Sequence, residues 1–133
     1  MNDEVLQGAH VMLVDDDVSV LQALGLYLET IHGAKVTGVA NLDSLRAALL
    51  ASAAPPTLLI ADFRLARRET GLEAVNLARE VHGMTLPAML LTGNPDALPP
   101  AVSATPALRV LAKPFDPAEF LRMLGELLPE RQF

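Results

Sequence analysis

Val11-Met12-Leu13-Val14-Asp15-Asp16-Asp17 decides how this chain reads. Four apolar residues run, without alternation, into three acids. A short unbroken apolar run is the pattern of a strand covered on both faces, as strands of a parallel sheet are. The pattern returns three times. Leu58-Leu59-Ile60-Ala61 ends on Asp62, Ala88-Met89-Leu90-Leu91 ends on Thr92, and Val110-Leu111-Ala112 ends on Lys113-Pro114. Strands alternating with helical segments argue an α/β sandwich around a parallel sheet. Ligands of such sheets bind at the carboxyl ends of the strands. Acids, a hydroxyl and an amine from distant parts of the chain should therefore meet at one edge.

Working outward, the expected strands cover about 10–14, 35–40, 57–61, 87–91 and 108–112. Val18, Val20, Leu21, Leu24, Leu28 and Ile31 recur at helical spacing, with Asp17 placed to cap that helix and Gly33 to stop it. Asn41 or Asp43 can cap a helix running to about Ser52. Arg64 to Thr70 reads as a loop, and Gly71 opens a helix to about residue 82. Pro95, Pro99, Pro100 and Pro106 leave room for only a short helix near 100–104. A last helix begins at Asp116-Pro117, a cap followed by proline at the first helical position. The expected organisation is one domain over 9–128, a loose lead-in over 1–8 and a tail over 129–133.

Composition narrows the function. The chain has 133 residues, 51% of them hydrophobic, enough for one packed core. Its formal net charge is −6, it has no run of Lys or Arg, and aromatics are 4% with no Trp. These features argue against direct nucleic-acid binding. No apolar stretch approaches the ~18 residues of a membrane-crossing helix. The start, Met1-Asn2-Asp3-Glu4, lacks the order of a signal peptide. There are no cysteines, so disulfides and thiolate metal sites are excluded and the expected setting is cytoplasmic, away from membranes.

Asp15, Asp16 and Asp62 should bring up to three carboxylates together, which raise one another's pKa unless a counter-charge is present. Mg2+, a hard cation, suits such a set. Asp62 can then serve as a nucleophile toward a phosphoryl group, with Lys113 and Thr92 contacting the phosphoryl oxygens. On these residues, in this order, the chain resembles the receiver domain of two-component response regulators over about 9–128. The resemblance implies the flavodoxin-like receiver fold: a five-stranded parallel sheet in the order 2-1-3-4-5, with helices on both faces. It also implies that Asp62 is the phosphoacceptor and that Asp15 and Asp16, with Asp62 and the backbone carbonyl of Arg64, bind Mg2+. Thr92 would be the switch hydroxyl, Lys113 the phosphoryl-contacting amine, and the Lys113-Pro114 bond cis. The implied partner is a histidine kinase or phosphotransfer domain, with a homodimer as a further assembly. The implied role is signalling: such a domain receives, and slowly loses, its own phosphoryl group and is not a turnover enzyme. Ala61-Asp62-Phe63-Arg64-Leu65, Glu69-Thr70-Gly71-Leu72-Glu73-Ala74 and Leu91-Thr92-Gly93-Asn94 resemble in particular the receivers of hybrid sensor kinases.

Two departures stand out. The switch aromatic of the family lies three residues before the lysine, and Val110 stands there. Arg64 and Asn94 flank the site at positions where the family varies. Two other readings compete. One is a degenerate receiver that acts as an interaction module without phosphorylation. The other is a haloacid dehalogenase-like phosphatase with Asp15 as nucleophile and Asp17 as general acid, which lacks its further acidic pair after the lysine. Asp17 reads first as a helix cap. His10, His32 and His82 have no metal-site spacing, and Arg67-Arg68 reads as a solvated loop pair.

Overall fold

A computed structural model describes residues 4–83 and 85–131. Five strands are present: β1 (His10–Val14), β2 (Lys35–Val39), β3 (Leu58–Asp62), β4 (Ala88–Thr92) and β5 (Leu108–Ala112). They form one parallel sheet in the order β2-β1-β3-β4-β5. The helices are α1 (Val18–His32), α2 (Leu42–Ala51), α3 (Gly71–His82), the single turn α4 (Pro100–Ser103) and α5 (Pro117–Leu127).

Side chains alternate across the pleat, which divides the core in two. Val11, Leu13, Leu58, Ile60, Met89, Leu91 and Leu111 face Leu24 and Leu28 of α1 and Phe120 and Leu124 of α5. Met12, Val14, Leu59, Ala61, Ala88, Leu90 and Leu108 face Leu45 and Leu49 of α2 and Val75 and Ala78 of α3. A sheet covered on both faces is why its inner strands β1, β3 and β4 carry the unbroken apolar runs 11–14, 58–61 and 88–91.

The helix ends follow the expected chemistry. Asp17 accepts from the N–H groups of Ser19 and Val20, Asn41 accepts from Ser44, and Thr70 and Glu73 form a reciprocal capping box. Gly33 ends α1 at φ 66, in the left-handed region where a side chain is disfavoured.

Three expectations need correction. Strands β3 and β4 run one residue further than the apolar stretches, because the ladder pairs Asp62 with Leu91 and Thr92 with Ala112. The loop after β3 contains a 3-10 turn at Ala66–Arg68, and another occurs at Pro95–Ala97. The lead-in is not loose. Val5 and Leu6 are 2% and 0% exposed and join the α1–α5 side of the core. Arg131 ties the far end to them, donating from Nε to the Val5 carbonyl (2.6 Å) and from Nη2 to the Gln7 carbonyl (2.9 Å). A two-residue apolar pair has no periodicity, so the sequence offered no element to assign. The outermost parts of the lead-in and tail, 1–3 and 132–133, lie outside the described residues.

Candidate functional site

Register assembles the site. Val14 pairs with Ala61 across β1 and β3, so the next residues, Asp15 and Asp62, stand side by side at the carboxyl edge. Oxygens of Asp15, Asp16 and Asp62 lie within 4.8 Å of one another. Asp15 is buried, 2% exposed. Asp16 is exposed and Asp62 half-buried.

Lys113 reaches this cluster from β5. Its backbone N–H donates to the Thr92 carbonyl (2.8 Å), and its Nζ donates to Asp62 Oδ1 (3.0 Å) across 51 residues of sequence. The Lys113-Pro114 peptide is cis. Thr92, 5% exposed, ends β4; its Oγ1 accepts from the Asn94 N–H (3.1 Å), so the hydroxyl proton is left for another acceptor. Asp15 Oδ1 accepts from the Asp17 N–H (2.9 Å). Burial pushes the Asp15 pKa up, the Asp17 N–H opposes this, the Asp62 charge adds to it, Lys113 opposes it, and Asp16 adds slightly more.

Arg64 is exposed and pairs with Thr70 in an isolated antiparallel bridge. The flanking bonds run from Gly71 N–H to the Phe63 carbonyl and from Leu65 N–H to the Glu69 carbonyl, so neither uses the carbonyl of Arg64. Val110 is partly buried against the α2–α3 side of the core.

The remaining candidates have structural partners. Asp17 caps α1, the role its place before the helix suggested. The histidines hydrogen-bond within the fold: His10 with Thr37, His32 with Tyr27, and His82 with the Leu49 carbonyl.

Sequence reasoning missed two residues. Gly71 packs so closely that a Cβ there would lie 2.6 Å from the Asp62 carbonyl oxygen and 2.8 Å from Leu90 Cδ2. Glu69 Oε1 accepts from the Leu42 N–H (3.1 Å) and so joins the loop after Asp62 to α2. A glycine opening a helix gave a weak hint of the first, and no local pattern could have revealed the second.

The chain is similar to known proteins along most of its length. Regulatory protein VirG of Agrobacterium tumefaciens (strain 15955) is 39% identical over 125 residues, covering 92% of this chain and 44% of VirG. The phyllosphere-induced regulator PhyR of Methylorubrum extorquens is 26% identical over 118 residues, covering 89% of this chain and 43% of PhyR. The chain thus spans less than half the length of these relatives. Among solved structures, a response regulator receiver protein of Sinorhizobium medicae superposes with a TM-score of 0.75 at 22% identity, covering 96% of this chain and 99% of that one. The receiver domain of a sensor histidine kinase of Pseudomonas aeruginosa, solved with magnesium coordinated in its active-site cleft, superposes with a TM-score of 0.73 at 25% identity, covering 92% and 98%. Residues 11–125 match the family described as the response regulator receiver domain, and the chain belongs to that family.

Proposed function

We propose that Asp62 accepts a phosphoryl group from a histidine kinase or phosphotransfer domain and that the resulting change of conformation is the signal. The observation that carries this reading is the cluster itself: three carboxylates within 4.8 Å, with Lys113 Nζ 3.0 Å from Asp62 Oδ1. An Asp62 oxygen bonds to phosphorus as the bond from phosphorus to the donor imidazole nitrogen breaks. The electron pair stays on the imidazole, and an acyl phosphate remains on Asp62. Lys113 offsets the charge that the phosphoryl oxygens carry. Thr92, whose oxygen already accepts from Asn94, donates its proton to one of them.

The donor set fits Mg2+. All three side-chain ligands are hard oxygens that lie within 4.8 Å of one another. Asp15, Asp16, Asp62 and the backbone carbonyl of Arg64 would hold the ion. When bound, it neutralises carboxylate charge and aligns the reacting oxygens. No helix among the described residues is long and apolar enough to cross a membrane. The domain stores a phosphoryl group and slowly loses it, without turnover of an external substrate.

Incubation with acetyl phosphate and Mg2+ should add one phosphoryl group by intact mass. The addition should be lost in Asp62→Asn and in excess chelator. Modification that persists in Asp62→Asn would place the acceptor elsewhere.

A further inference from the structure

The segment 63–71 follows Asp62 directly and is laced into a small hairpin. Gly71 N–H donates to the Phe63 carbonyl (2.8 Å), Leu65 N–H donates to the Glu69 carbonyl (3.0 Å), and Arg64 faces Thr70 between them. At its base, Phe63 N–H donates to the Leu91 carbonyl of β4 (2.8 Å), and Gly71 is pressed against the Asp62 carbonyl. At its tip, Arg67 and Arg68 both have left-handed backbones, φ 59 and 63, which residues with side chains rarely adopt. The loop is thus hydrogen-bonded along its length from its base at Asp62 toward its tip.

Glu69 stands beside that tip and reaches another element. Its Oε1 accepts from the N–H of Leu42 (3.1 Å), the first residue of α2. That N–H is one of the donors a helix start leaves without an intrahelical acceptor. The cap of α2 itself, Asn41, serves Ser44. Glu69 therefore supplies a second cap from 27 residues away, with its negative charge at the positive end of the helix.

We propose that Glu69 is the positioning residue through which the state of Asp62 is passed to α2, an inference that rests on the phosphoacceptor reading above. A phosphoryl group on Asp62 adds bulk and charge at the base of the hairpin and redirects Lys113, which now bonds Asp62. The hairpin shifts, the Glu69–Leu42 bond lengthens, and the first turn of α2 loosens. Val110, partly buried against the α2–α3 side of the core, is too short to act as a turning aromatic.

The test uses the whole chain with Mg2+, with beryllofluoride as the phosphoryl mimic, and reads backbone amide exchange in residues 42–45. Beryllofluoride should change exchange there by roughly fivefold or more, the low end of coupling between two sites. Glu69→Ala should remove that difference, and Glu69→Gln, which keeps an acceptor oxygen at the same reach, should restore it. A cap of purely structural value would speed exchange with and without beryllofluoride and leave the difference intact. Leu42→Pro deletes the donor instead, read over 43–45. Proline suits the first helical position, and Asn41, at φ −157 and ψ 173, is already extended as a residue before proline must be. It should behave as Glu69→Ala does, and it decides the matter should that variant not fold. An undiminished response of α2 in Glu69→Ala or Leu42→Pro would overturn the proposal, as would a wild-type response that leaves α2 untouched. Failure of the phosphoacceptor reading shows separately, as no Asp62-dependent gain of mass from acetyl phosphate.

Discussion

Asp15 is the most deeply buried of the three acids, and its environment makes a prediction about pH. Its folded pKa is raised above the ordinary 3.8, chiefly by burial. The folded protein therefore holds the proton more tightly than the unfolded chain does. Stability from this group falls as pH rises from 3.8 through the folded value. In metal-free buffer, Asp15→Asn should be more stable than the wild type at neutral pH, and the advantage should be lost as pH falls below 3.8, where Asp15 is protonated in both states. Urea unfolding across a pH series measures this; a variant less stable at neutral pH would mean that the Asp17 N–H and Lys113 outweigh burial. The places of Asp15, Asp62, Thr92 and Lys113 at strand ends were legible in the sequence because each is the first polar residue after an apolar run. Glu69 was not, because its partner is distant in sequence and its own neighbours form a polar loop.

Elements were legible where a period or a cap marks them. The five strands and the starts of α1, α2 and α5 stand within a residue or so of their expected places, since the caps Asp17, Asn41 and Asp116 each hydrogen-bond the first turn. Strand ends at Asp62 and Thr92 were missed by one residue because ladder bonds continue past the apolar stretch. The start of α3 shows what a single position can require. Its first residue, Gly71, leaves no room for a Cβ beside the backbone of Asp62. Gly71→Ala should cost roughly 1–3 kcal/mol through overpacking and slow modification of Asp62 by acetyl phosphate, because the strand end must move. Unfolding midpoints and phosphorylation rates both unchanged from the wild type would show that the contact relaxes freely.

At the scale of the molecule, the order β2-β1-β3-β4-β5 makes β1 and β3 neighbours, which is why the acids from their ends sit together. The lead-in, by contrast, was misread as loose. Leu6 is fully buried among the residues of the α1–α5 side. Leu6→Ala should destabilise the protein by about 2–5 kcal/mol, the usual cost of emptying a core leucine position, while leaving the sites of Asp15 and Asp62 in place. A midpoint within error of the wild type in urea would show that these residues detach without consequence.

The bonds from Arg131 to the carbonyls of Val5 and Gln7 have an architectural consequence. Residue 5 precedes β1 and residue 131 follows α5, so both lie at the amino edge of the strands, while the acids lie at the carboxyl edge. Strands of five residues rising about 3.3 Å each separate the two edges by roughly 16 Å. A tag, tether or fluorescent protein joined at residue 5 or at residue 131 would be mounted at the same pole and would leave the opposite pole open to visitors. Two such fusions on one molecule would stand shoulder to shoulder.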